Sequence, residues 1–211
     1  MVNGSQMKVV CHVDDLKVSH KSEFYITRFT DYLISIYVGL SSSQGKVHDY
    51  LGMNLDFSDK GKLQVSMIPY LINVLKELSE ELGAAASSTE PDHLFKIRTE
   101  NEATYLPEDQ AQNFHRTVAQ LLFLSARARR DTQTSVAFLT KRVKKKDEED
   151  WFKMRRLLKY LRGDISLKLT LTADDLSIIN WYVDASDAIH DDCKGHTGAM
   201  MSMGGGAVTS F

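Results

Sequence analysis

Hydrophobic positions along the chain change period several times, and each change marks an element. In "MKVVCHVDDLKVS", residues 7–13 and 16–19 are two short apolar runs that pair as a β-hairpin, with Asp14 and Asp15 at or beside its tip. Ser22 can cap a following helix, along which Phe24, Phe29, Leu33 and Ile36 keep roughly helical spacing until Gly39. After the turn-rich "SSSQGK", Leu51, Met53, Leu55 and Phe57 alternate with Asn54 and Asp56, and Leu63, Val65 and Met67 resume the alternation beyond "SDKGK". Residues 49–67 therefore read as a second hairpin, half-buried on a core.

Pro69 suits the first turn of the next helix, whose stripe is Leu71, Val74, Leu75, Leu78 and Leu82, and Gly83 stops it. Residues 84–105 are polar and weakly periodic, a long connection between two lobes. Three helical stretches follow. The first opens at Pro107 and carries Phe114, Val118, Leu121, Leu122 and Ser125. The second, capped by Asp131, carries Val136, Leu139 and Val143. The third opens on "DEED" at 147–150, where the helix dipole favours negative charge, and its stripe is Trp151, Met154, Leu158 and Leu161. Lys153, Arg155, Arg156, Lys159 and Arg162 lie largely off that stripe, which predicts one packing face and one cationic face. From residue 166 short strand-like runs return: "LKLTLT", "SIINWYVDAS", "GAMMSM" and "AVTSF". The order of elements predicts an α+β architecture.

Composition changes little in this picture. A chain of 211 residues with 43% hydrophobic content can build a packed core. It has no apolar run near the ~20 residues that span a bilayer, and no signal-peptide pattern at its start. Cys11 and Cys193 stand far apart, which is no disulfide framework; an intracellular protein with no membrane partner is expected. Charge changes more. The net charge is only −2, yet residues 127–162 carry 13 Lys+Arg against 5 Asp+Glu, a local +8 between acidic flanks. Such a block, with Arg127, Arg129, Arg130, Lys153, Arg155, Arg156, Lys159 and Arg162 in it, suggests contact with a polyanion. Long cationic side chains covering apolar surface with wet heads are the alternative.

Adjacent aspartates at a hairpin tip have two readings. They are a solvated turn, since Asp is a favoured turn residue, or part of a cage for divalent cations of the kind phosphoryl transfer uses. Two carboxylates alone fill the octahedral shell of Mg²⁺ poorly, so a third from another strand would be needed. In "HDDCKGH", His190, Cys193 and His196 have a spacing that could ligate zinc, but a structural site needs four placed ligands and a loop is the simpler reading. "GGG" at 204–206 lacks a following helix with Lys-Ser or Lys-Thr and reads as a turn.

Taken together, "HVDDLKVSH" and its surroundings resemble the reverse transcriptase of copia-type LTR retrotransposon polyproteins. "VHDYLGMNLDF" and "LQVSMIPYLINVLKEL" are similar to that family's palm-to-thumb strands and helix, and "FHRTVAQLLFLSARARRDTQTSVAFLTKRV" to its thumb and connecting helices. "WFKMRRLLKYLRGDISLKLTL" and "WYVDASDA" with "CKGHTGAMMSMGGGAVTSF" resemble the approach to, and opening of, its RNase H domain. The resemblance covers nearly the whole chain from residue 8 in the family's order.

It implies a partial palm with a primer-grip-like hairpin over 1–83, a connecting segment at 84–105, helical thumb and connection over 106–165, and the first strands of an RNase H-like sheet over 166–211. It implies that Asp14 and Asp15 are the metal-binding pair of the polymerase and Asp184 the first carboxylate of RNase H, with Mg²⁺ as cofactor. An RNA/DNA template-primer or RNA·DNA hybrid is the partner it implies, with another Pol chain as a second, in a cytoplasmic particle or the nucleus. His12 departs from the family's usual Tyr. The strand carrying the family's first catalytic Asp is absent, as are the later RNase H ligands, so a fragment inactive alone is expected. A non-catalytic RNA/DNA-binding module or a retained interaction protein are the alternatives.

Overall fold

The computed structural model describes residues 1–211 apart from 79–80, 92 and 188–194. The described residues form a mixed α and β arrangement with three small antiparallel sheets among them. The first is the hairpin of β1 (Lys8–His12) and β2 (Asp15–Ser19), followed by α1 (Glu23–Ile36). No residue of α1 is buried, and Phe24, Tyr32, Ile34 and Ile36 stand in solvent.

The second sheet runs β3 (Val47–Tyr50), β4 (Met53–Asp56), β5 (Lys62–Ser66) and β6 (Leu169–Thr172). Here the structure corrects the sequence reading at one turn. "DYLGMNLDF" is not a single strand: Tyr50 pairs with Met53 across Leu51 and Gly52, whose φ values of 52° and 76° make the tight primed turn that joins twisted strands. Alternation hid the reversal because a two-residue turn preserves the period. β6, which sequence pattern groups with the later strands, pairs instead with β5, Leu169 opposite Val65.

Against this sheet lie α2 (Ile68–Glu77), α3 (Glu108–Ser125), α4 (Gln133–Arg142) and α5 (Glu148–Gly163). Phe114, Val118, Leu121, Leu124, Leu139, Met154, Leu157, Leu158 and Leu161 are almost wholly buried between them and join Leu55, Val65, Leu71 and Val74 in one core. Each such side chain contributes ~1.5–3 kcal/mol by leaving water, so this cluster holds the molecule together. Leu122 is exposed while Leu124 is buried, one shift of the predicted stripe. Asp131 does not cap α4; Thr132 occupies the cap position, and Asp131 is drawn away by Arg129. The third helix of the sequence reading, α5, does open at "DEED", and the structure adds a cap that the charge argument did not specify. Asp147 accepts from the Asp150 amide at 3.0 Å and the Asp150 carboxylate accepts from the Asp147 amide at 3.1 Å, a reciprocal cap.

The third sheet runs β7 (Asn180–Ser186), β8 (His196–Ser202) and β9 (Thr209–Ser210), with Asp184 opposite Gly198. The glycines at 204–206 form the turn after β8 and press against β6. The Thr172 amide donates to the Gly205 carbonyl, and a side chain on Gly206, whose φ is 80°, would run into the Thr170 carbonyl.

Candidate functional site

The first hairpin reverses over two residues. His12 pairs with Asp15, leaving Val13 and Asp14 as the turn. Only Val13 of these two has a positive φ, 53°, the pattern of a turn that favours glycine at its first position. A β-branched residue held there is strained by of order 1–3 kcal/mol, and Val13 buries nothing in return, being 87% exposed. Sequence reasoning passed over Val13; the signal was a β-branched residue where glycine is the favoured occupant. Asp14 in the turn and Asp15 at the head of β2 are both exposed. Behind the tip, the Lys17 ammonium lies 4.8 Å from the centre of the Phe57 ring.

Asp184 stands apart on β7, exposed, its carboxylate accepting from the Ala185 amide at 3.0 Å. It borders an open hollow of about 640 Å³ between the third sheet and α4, lined also by Arg130, Gln133, Thr134 and His196. Among the described residues no three of His, Cys, Asp and Glu converge as a metal site would require. His190 and Cys193 lie outside the described residues. Asp14 and Asp15 therefore offer Mg²⁺ two carboxylates of the roughly six oxygens it demands, and the donor set does not fit a complete site.

The basic residues have a different fate from the one their pattern suggested. Two of them are corrected outright, because they are buried. Arg129, 2% exposed, grips Asp131 with Nε and Nη2 at 2.7–3.2 Å and donates through Nη1 to the Asp164 carbonyl at 2.8 Å. Burial is the largest single influence on Arg129 and lowers its basicity, but the hydrogen bond and charge of Asp131, with Tyr160, together outweigh it, for a net rise. Lys153, 1% exposed, donates to the Lys96 carbonyl at 2.6 Å and lies 4.8 Å from the Phe138 ring; burial pushes its pKa down.

Arg155, Arg156 and Arg162 of α5 hold the stretch of chain between α2 and α3. Arg155 donates to the Glu81 carbonyl at 2.8 Å, Arg156 to the Ser88 hydroxyl at 2.9 Å, and Arg162 to the Gly83 carbonyl. From the other direction His93 and Arg98 both reach Glu149, at 2.8 and 3.1 Å. The described residues between Glu81 and Arg98 thus form a strap along the cationic face of α5, and Leu82 and Leu94 in it are buried. Backbone carbonyls are the main acceptors, which is why no residue pattern announced it. Arg127 stacks 3.6 Å from the Phe123 ring, Arg130 donates to the Val208 carbonyl at 3.0 Å, and Lys159 is half-buried. Burial alone lowers the pKa of Arg130.

No protein-family model matches the chain, and no solved structure matches it. Similarity to curated proteins is found. The chain is 25% identical over 203 residues to the "Putative transposon Ty5-1 protein YCL074W" of Saccharomyces cerevisiae (strain ATCC 204508 / S288c), an alignment covering 96% of this chain. It spans 64% of the length of that relative. The similarity supports a retrotransposon-related origin. Among the described residues no helix is long and apolar enough to cross a membrane.

Proposed function

We propose that the chain is a piece of a retrotransposon reverse transcriptase, running from the palm through the thumb into the start of RNase H, and that it is not catalytic by itself. The observation that carries the reading is the tip of the first hairpin: a two-residue reversal with a strained Val13, at which the neighbouring Asp14 and Asp15 are both exposed. Strain without packing reward is characteristic of a position kept for a site. Like charges side by side gain nothing in an isolated turn, and a polymerase metal pair explains both features. Similarity to a transposon protein over nearly the whole chain agrees with this origin.

In the intact parent these carboxylates would share Mg²⁺ with a carboxylate from another strand, and Asp184 would open the RNase H set. Among the described residues no third carboxylate stands with the pair. Templated primer extension by the purified 211 residues with Mg²⁺ and four nucleotides tests the statement about activity. No product above background is expected; robust templated synthesis overturns it. The alternative of a nucleic-acid-binding module loses Arg129 and Lys153 to the interior, and Arg155, Arg156 and Arg162 have partners in the strap.

A further inference from the structure

We propose that Ser88 is a phosphorylation site, and that Arg156 holds the phosphate so that the modified strap is clamped onto α5. The Ser88 hydroxyl accepts from Arg156 Nη2 at 2.9 Å and donates to the Glu90 carbonyl at 2.9 Å. The guanidinium beside it is only half used. Nε and Nη2 form one edge of an arginine, the edge that can grip two oxygens of a single anion. Arg129 uses that edge in full on Asp131, with Nε at 3.0 and 3.2 Å and Nη2 at 2.7 Å. On Arg156 the same edge meets a neutral hydroxyl through Nη2, while Nε is buried with no hydrogen-bond partner. A buried donor without a partner costs free energy until something fills it. A phosphate on Ser88 would bring three acceptor oxygens and a charge of about −1.5 to −2 to that edge.

Access is open. Ser88 is exposed and lies in a stretch, 81–91, without helix or strand, so a kinase has two hydrogen bonds to break and no regular structure to unwind. Thr89 beside it is half-buried, and its carbonyl takes the Ser135 hydroxyl at 3.4 Å, which makes it the poorer target. Glu90, with Asp92 beyond it in the sequence, suits a serine kinase that reads acidic residues after its target.

In the transfer, Ser88 Oγ attacks the γ-phosphorus of a nucleoside triphosphate, the bond from that phosphorus to the β-bridging oxygen breaks, the diphosphate leaves, and the hydroxyl proton passes to the kinase's base. The new phosphate pairs with Nε and Nη2 of Arg156, and a charged pair replaces one neutral hydrogen bond between strap and helix. The proposal does not depend on the retrotransposon reading.

Treating the full folded chain with an acid-directed serine kinase and ATP tests it, the phosphate being located by mass spectrometry. One phosphate at Ser88 is expected, absent in Ser88→Ala. Phosphorylation should slow hydrogen exchange of the amides of 83–90 at least fivefold in the natural chain and leave it unchanged in Arg156→Gln, each compared with its own unmodified form. Phosphorus NMR gives a second reading that survives any loosening of the strap by the substitution: the second ionisation of the phosphoserine should fall to lower pH in the natural chain than in Arg156→Gln. A chain left unmodified at Ser88, or modified at Ser87 or Thr89 in its place, overturns the proposal; so do exchange rates and an ionisation that Arg156→Gln does not alter.

Discussion

Replacing Lys153 by methionine separates two roles for a buried cation. Its ammonium donates to the Lys96 carbonyl at 2.6 Å and rests 4.8 Å from the Phe138 ring, with 1% of the residue exposed. Losing that bond costs about 1.5–3 kcal/mol for a charged donor, and the ring contact adds about 1 kcal/mol. Against this stands the penalty of holding an ammonium out of water, several kcal/mol even after relaxation, which methionine does not bear. Methionine keeps the unbranched stem and fills the same space. The terms nearly cancel, so Lys153→Met should lie within about 1–2 kcal/mol of the natural chain at neutral pH. Lys153→Ala loses the bond and the stem together and should cost about 2–4 kcal/mol through the cavity. Urea unfolding followed by tryptophan fluorescence reads both, since Trp151 lies in the same core. Equal losses for Met and Ala would refute the reasoning, because the ammonium and not the stem would then be what matters. A fall in affinity for an RNA·DNA hybrid in Lys153→Met at unchanged stability would refute the placement of Lys153 inside.

Other outcomes follow from the same geometry. Because burial holds the Lys153 pKa below the ordinary lysine value of 10.5, the unfolded chain keeps a proton there that the folded chain gives up; stability from this group rises as pH climbs through the folded pKa toward 10.5. Lys153→Met should lack that increment in alkaline urea titrations. Asp147→Ala removes the acceptor of the Asp150 amide and should destabilise by about 1–2 kcal/mol, read by the same unfolding assay. Val13→Gly relieves the positive φ and should raise protection of the hairpin amides in hydrogen exchange by about 1 kcal/mol, leaving the helical core unchanged.

The legible parts of this molecule are those where periodicity and burial coincide. The stripe Trp151, Met154, Leu158 and Leu161, the helix start at "DEED" and the hairpin at Asp14–Asp15 could all be read from residues. Leu51–Gly52 could not, because a two-residue reversal leaves the alternation intact on either side. The strap was hidden for another reason. Arg155, Arg162 and Lys153 bind carbonyls of Glu81, Gly83 and Lys96, and any residue supplies a carbonyl. A +8 block thus looked like a surface for phosphate when much of it holds the chain's own backbone. Partnership of β6 with β5 was likewise outside local pattern, being a pairing across about a hundred residues.

The central claim concerns the hairpin tip, and a chimera tests it most directly. Residues 8–20 of this chain, placed in an active reverse transcriptase in exchange for its own metal-binding hairpin, should support templated DNA synthesis with Mg²⁺. Asp14→Asn within the graft should abolish that synthesis. A chimera that folds and binds primer-template yet extends nothing, or one whose activity survives Asp14→Asn, would contradict the account.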